Sequence, residues 1–287
     1  VRLEISHVTR YYYADPVTDS VNELRLAPRT DERQACYQHQ LTIEPNVSLM
    51  SYEDYFGNRV YSFTANDPHR ELVITSRSTV VTRDSEMKKG LEGDPVASWN
   101  KVKSEEFINA NAEYLLPTVY ASFHPSVVNF ALSIEGEEGG VFAFVKSACE
   151  RIFNDFEYKP LSTGVHTTSD ELIGLGAGVC QDFAHLLLSV CRIKGVAARY
   201  VSGYHFVGDL QGRDADFEQA SHAWVEVYVP GMGWQGFDPT NNGLVDWRYV
   251  KLAHGRDYLD IVPVKGVYRG TGVQTLSVHV DVQRVTG

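Results

Sequence analysis

The chain opens on an alternation. Val1, Leu3 and Ile5 are apolar and the residues between them polar, the two-residue period of a half-buried strand. Further strand candidates cover about residues 38–47 and 71–83, the latter rich in Val and Thr. Residues 52–63 read as a hairpin turning at Gly57-Asn58, a dipeptide that accepts positive φ. Together these predict an N-terminal antiparallel β-sandwich over residues 1–83. From Asp84 to about Asn100 the chain is polar, with Lys88-Lys89-Gly90 and Gly93-Asp94-Pro95, and predicts a linker. A short helix over 104–116, stopped by Pro117, completes a linker and helical segment assigned to 84–140.

The period then changes. Apolar residues at 141, 145, 148, 149 and 152 predict a helix with one buried stripe. Thr168 followed by Glu171 has the form of a capping box. Gly174, Gly176 and Gly178 lead into a strongly apolar helix over 179–194 that stops at Gly195. Strands follow at 196–206, 222–229 and 234–237, the last two joined by Gly231-Met232-Gly233, with a polar loop over 208–219. Tail strands are expected near 261–268 and 273–282. The order is α+β: a β-domain, then a core over 141–287 in which a helix packs on an antiparallel sheet, with the tail strands read as part of that core.

Composition narrows the function classes. At 287 residues and 43% hydrophobic content the chain can bury a large core. The formal net charge is −11 and no basic run stands out, so nucleic acid and anionic membrane are not expected partners. No stretch approaches the roughly 20 apolar residues of a membrane span. The N-terminus lacks the basic and apolar regions of a signal peptide. Four cysteines (Cys36, Cys149, Cys180 and Cys191), none in a C-x-x-C pair, are too sparse for a disulfide scaffold. Free thiols in a reducing, cytoplasmic setting are the expectation.

One cysteine differs from the others in placement. Cys180 follows the glycine approach and opens a helix, where partial positive charge favours a thiolate and unpaired first-turn amides can bind an oxyanion. Gly178 is expected to let a substrate approach the backbone. Cys149 and Cys191 fall on apolar stripes and read as packing; at 1.5 Å per residue Cys191 lies about 16 Å along the helix from Cys180, too far to pair with it. In the strand from His222, residues 222, 224, 226 and 228 share one face and Ala223, Val225, Val227 and Val229 the other, which puts His222 off the aliphatic face. Asp238 ends the next strand, where an antiparallel partner sets it beside His222 to orient the imidazole and favour its charged form. Gln181, Trp224 and Trp234 are candidates for the cleft, Gln181 as a side-chain donor and the tryptophans as walls. Asp182 and His185, three apart on the helix, read first as structural partners of each other or of the chain after Gly195. No histidine spacing suggests a metal, and a zinc site using Cys180, Asp182, His185 or His222 fails because Cys180 and His185 diverge on the helix.

Four runs carry a resemblance: Gly178-Val-Cys-Gln-Asp-Phe-Ala-His185, Ala198-Arg-Tyr-Val-Ser-Gly-Tyr204, Ser221-His-Ala-Trp-Val-Glu226 and Gly233-Trp-Gln-Gly-Phe-Asp-Pro-Thr-Asn241. They resemble the bacterial transglutaminase-like family, which belongs with the papain-like cysteine hydrolases. Leu24-Arg-Leu-Ala-Pro-Arg29 and Gly255-Arg-Asp-Tyr258 also fit, the first within the β-region that precedes the core in many members. The resemblance implies a papain-like core with Cys180, His222 and Asp238 as nucleophile, base and orienting acid. It implies a peptide or protein amide as substrate and no cofactor; the acidic calcium sites of animal transglutaminases have no identifiable match. Members include amide hydrolases, peptidases, cross-linking transferases and inactive proteins. A cysteine hydrolase, an amine transferase and a non-catalytic peptide-binding module therefore stand as alternatives at this stage.

Overall fold

The computed structural model describes residues 1–84, 94–208, 221–270 and 272–285. Strand β1 (Arg2–Leu24) runs for 23 residues because it serves two sheet sections. Its first half pairs antiparallel with β5 (His69–Thr82) on one side and β14 (Gln274–Val285) on the other, and β2 (Gln34–Glu44) extends the section beyond β5. The register shifts between Tyr12 and Val17, where the pairing passes from one section to the other. Its second half pairs with β4 (Arg59–Ala65) and β13 (Val264–Arg269), with β3 (Met50–Glu53) outside β4. The predicted hairpin at Gly57 is therefore present, and Gly57 takes the left-handed φ of +71° that the turn requires. Leu3, Ile5, Val17, Leu24, Ile43, Phe63, Leu72 and Ile74 fill the core of this half-barrel-like sheet.

Two boundaries differ from the sequence reading. The tail strands do not join the core sheet: β13 and β14 both pair with β1. A strand as long as β1 would otherwise leave a row of unpaired backbone groups along one edge, and the tail covers it from Arg2↔Val285 to Tyr13↔Gln274. Nor is 84–140 a separate segment. Helix α1 (Pro95–Val102) begins at Asp94, whose side chain accepts from the Val96 N–H at 3.1 Å. Together with α2 (Glu105–Ala110) and α3 (Pro125–Leu132), this stretch supplies Val102, Phe107, Tyr114, Val127 and Ala131 to the main core. The Lys88-Lys89-Gly90 part of the expected linker lies outside the described residues.

The core is helix on sheet. The sheet is antiparallel in the order β11-β10-β9-β8-β12: β11 (Gly243–Leu244), β10 (Gly233–Asp238), β9 (Ser221–Val229), β8 (Ala198–His205) and β12 (Tyr249–Gly255). Helix α6 (Cys180–Ile193) packs on the face bearing Ala198, Tyr200, Ala223, Val225 and Val227, flanked by α4 (Gly140–Asp155) and α5 (Ser169–Leu175). Cys149 and Cys191 are buried in this cluster, as the apolar stripes predict.

The open edge of β12 is closed by two side-chain amides from the β-domain. Gln34 donates to the Lys251 carbonyl at 2.9 Å and accepts from the Lys251 N–H at 2.7 Å. Asn58 does the same for His254, at 2.8 and 2.9 Å. Each primary amide presents one donor and one acceptor, as a neighbouring strand would, and both residues are buried. The two halves of the molecule are thereby locked at the strand next to β8, which runs past the site.

Candidate active site

The nucleophile candidate is placed by a short ladder. Gly176 ends α5 in the left-handed region at φ +69°. The chain then forms β7 (Ala177–Gly178), which pairs parallel with β6 (Glu157–Tyr158), and α6 starts at Cys180. Asp182 reaches back to accept from the Val179 N–H at 2.8 Å and holds Thr163 Oγ1 at 2.6 Å, tying this turn to the loop before α5. Gly178 is required by packing rather than by substrate approach: a Cβ there would lie 2.7 Å from Leu172 and 2.9 Å from Asp182 Oδ2. Cys180 itself is partly exposed.

Cys180, His222 and Asp238 come together. Cys180 lies close enough to the His222 imidazole to help raise its pKa. Nε2 of His222 is 2.7 Å from Asp238 Oδ2, which leaves Nδ1 for the sulfur. Asp238 is completely buried and collects five donors. Oδ2 accepts from His222, from the Tyr249 hydroxyl at 2.7 Å and from Asn241 Nδ2 at 2.6 Å; Oδ1 accepts from the Thr240 and Asn241 amides at 2.8 and 3.3 Å. Burial opposes ionisation of this carboxyl, but the His222 charge and the converging donors hold it well below the ordinary carboxylate range. Burial likewise opposes charging His222, yet Asp238 and then Cys180 raise its pKa from 6.5 to about 10. The arrangement keeps an imidazolium between a carboxylate and a sulfur.

Asn241 and Tyr249 went unassigned in the sequence reading. Asn241 stood in a quoted run without a role, and Tyr249 lies on β12, a strand the sequence pattern did not reveal. Tyr249 stacks on His205 with centroids 4.3 Å apart, and the His205 ring lies 5.4 Å from His222. His205 is held neutral, its pKa lowered to about 4 by burial and then by the His222 charge.

The cleft candidates are placed differently from expectation. The Gln181 amide donates to the Val165 carbonyl at 3.1 Å, so it anchors the loop before α5. Trp224 is 1% exposed and packs with Val201 and Tyr249 behind His222; it is no cleft wall. Gly203, opposite His222 in the β8–β9 ladder, leaves room for it, since a Cβ there would meet the Trp224 ring at 2.5 Å. Trp234 sits four residues before Asp238, about 14 Å along β10 at roughly 3.4 Å per residue. Its ring lies under the Arg199 guanidinium at 4.2 Å, beside a buried cluster in which Glu226 pairs with Arg199 and Lys251, each at 2.7 Å. Asp182 and His185 do not bond each other. His185 is sandwiched between Tyr120 and Tyr200 at 5.0 and 4.9 Å and accepts from the Tyr258 N–H at 3.3 Å. Burial lowers its pKa to about 3. The polar loop read over 208–219 lies outside the described residues beyond Gly208.

Two family descriptions match this chain: a bacterial transglutaminase-like N-terminal region over residues 3–81, and the transglutaminase-like superfamily over 129–239. The second span contains Cys180, His222 and Asp238. The chain belongs to the transglutaminase-like superfamily. An uncharacterized protein of Mycobacterium leprae is 35% identical over 99% of both chains. A protein-glutamine gamma-glutamyltransferase of Pseudomonas aeruginosa is 29% identical over 50% of this chain and 22% of its own length. Among solved structures, a "Putative Cysteine Protease" from Cytophaga hutchinsonii aligns over 100% of this chain and 91% of its own, with TM-score 0.75 and 26% identity. This transglutaminase-like chain thus shares its whole architecture, β-domain included, with a protein described as a protease. Its likeness to the named transferase spans half its length.

Proposed function

We propose that this protein is a cysteine-nucleophile acyl-transfer enzyme acting on amide or peptide bonds, with water as its usual acceptor. The observation that carries the reading is the buried Asp238 carboxylate paired with His222, whose imidazole is also influenced by Cys180 at a helix N-terminus. Attack by the Cys180 thiolate on the carbonyl carbon moves an electron pair onto the carbonyl oxygen. Collapse of that intermediate expels the amine, which takes the His222 proton, and leaves a thioester. Neutral His222 then accepts a proton from water as it attacks, giving the acid and restoring the Cys180 thiolate beside protonated His222. Asp238 keeps the imidazole ring oriented throughout and stabilises its charged form.

Transfer to an amine is the second reading, supported by the Pseudomonas aeruginosa relative's name. Hydrolysis is preferred because the full-length structural likeness is to a protein described as a protease. Four free thiols suit a reducing compartment, and we place the reaction in the cytoplasm. Among the described residues no helix is long and apolar enough to cross a membrane. A screen of glutaminyl peptides and simple amides, with and without a millimolar primary amine, tests the choice. Free acid as the main product with amine present supports hydrolysis; acyl groups found mainly on the amine make the protein a transferase.

A further inference from the structure

The acyl-transfer reading needs a second donor for the oxyanion besides the backbone amides at the start of α6. Gln181 already donates its amide to Val165, Trp224 is buried, and Trp234 lies at the far end of its strand. We propose that the Tyr158 hydroxyl is that donor, and so a catalytic residue of this site.

Three features of the fold place it there. First, Tyr158 is the register partner of Gly178 in the parallel β6–β7 ladder, two residues before the nucleophile. The Lys159 N–H to Gly178 carbonyl bond at 2.9 Å and the Glu157 N–H to Gly176 carbonyl bond at 3.0 Å fix that register from both sides. Neighbouring strands lie about 4.8 Å apart, so the Tyr158 side chain starts within reach of the first turn of α6. Second, its ring packs edge-on against Phe183, with centroids 6.3 Å apart. Phe183 is three residues after Cys180 and so on the same helix face. Third, Tyr158 is only half buried, so a substrate can reach it. Tyr200, a second tyrosine that senses the charge of Cys180, is 2% exposed and stacked on His185, out of substrate reach.

The chemistry suits the position. Burial, then the charges of Cys180 and Asp238, push the Tyr158 phenol up to about 12, so it holds its proton at neutral pH and has that proton to donate. As the thiolate adds to the carbonyl carbon, the π pair becomes an oxyanion that accepts from the hydroxyl and from a first-turn amide. When the intermediate collapses, the pair returns to the carbonyl and Tyr158 is unchanged.

The inference rests on acyl transfer at Cys180, and the test separates the two. Wild type and Tyr158→Phe are compared in two reactions at Cys180: acylation by 4-nitrophenyl acetate, read as the 4-nitrophenol burst, and alkylation by iodoacetamide. Acylation passes through an oxyanion; alkylation is a displacement at carbon that forms none. The phenylalanine variant keeps the ring on Phe183, and its alkylation rate reports that the site is folded. Loss of one oxyanion donor should slow acylation on the order of 100-fold while alkylation stays within about twofold. Equal acylation in both proteins overturns the assignment. A parallel loss in both reactions also overturns it, because Tyr158 would then act on the thiol. If wild-type Cys180 is alkylated but never acylated, the acyl-transfer reading itself fails, and the role of Tyr158 with it.

Discussion

Asp238→Asn is the sharpest perturbation the site offers. The substitution keeps the size of the side chain but removes its charge and half of its accepting capacity. Donors converge on both oxygens: three on Oδ2 and two backbone amides on Oδ1. Whichever way the new amide turns, its NH2 group faces at least two N–H or O–H donors, and a buried donor left unpaired costs about 1–3 kcal/mol. The lost charge matters more for chemistry. Two unit charges 2.7 Å apart, the His222–Asp238 separation, attract by about 6 kcal/mol at an effective dielectric constant of 20. The rise of the His222 pKa from 6.5 to about 10 corresponds to roughly 5 kcal/mol, the same order. Without Asp238, burial is the dominant remaining influence on His222, and the imidazole is neutral at pH 7. If only about half of that energy reaches the thiolate, reactivity falls about 100-fold, at 1.4 kcal/mol per factor of ten. The assay is iodoacetamide alkylation of Cys180 at pH 7, with imidazole ¹⁵N shifts reporting the His222 charge. A folded variant alkylated within about threefold of wild type, or one whose His222 stays protonated at pH 8, would refute the reasoning.

In wild type, iodoacetamide should modify Cys180 before the other thiols. Cys149 and Cys191 are buried, with Cys191 pushed up to about 12, and burial also raises Cys36; equal labelling of Cys36 in partial-labelling mass spectrometry would count against an activated thiol. Stability should peak near neutral pH. His7, His185 and His205 are held at about 4, 3 and 4, so their contribution is present above the unfolded value of 6.5 and lost as pH falls toward those values. Three protons taken up by these histidines on unfolding contribute up to about 4 kcal/mol per pH unit near pH 5. His222 has the opposite sign: its contribution is complete below 6.5 and fades as pH rises through about 10. Urea melts from pH 4 to 10 check both limbs, and a flat profile contradicts them. Asn58→Ala strands the His254 N–H and carbonyl in a buried place and should cost about 2–4 kcal/mol in urea unfolding. A loss under about 1 kcal/mol would mean that water replaces the amide.

The parts of the fold that were legible carried a clean period. Cys180 at a helix start and His222 on the polar side of an alternating strand were readable because each depends on local structure alone. The alternation of β1 fades after Ile5 because the next inward positions are His7 and Thr9, both buried and polar. They bond each other at 3.1 Å, and His7 also meets the Tyr204 hydroxyl at 2.8 Å. A partner 197 residues away makes the polar interior tolerable, and no local window contains it. Strand β12 was invisible for a related reason. All seven of its residues are buried, so it has no period, and its charged Lys251 is matched by Glu226 from another strand.

Trp224 shows where parity reasoning stops. Its position two residues after His222 does place it on the same face of β9, as the alternation requires. Parity identifies a face but not what covers it. Tyr249 from β12 packs edge-on against the Trp224 ring at 5.3 Å and donates to Asp238, so the same tyrosine that covers the tryptophan also holds the carboxylate. The side chains that support a buried charge need only a donor at the right point, and a tyrosine on one strand and an asparagine in a turn serve equally well. Residue type therefore says little about who will do it. Strand order decides: β12 lies beside β8, and its first residue, Tyr249, pairs with His205 at the end where His222 enters. The candidate reacting groups of such a site can be read from the chain, whereas the groups that fix their charge follow from the topology of the sheet.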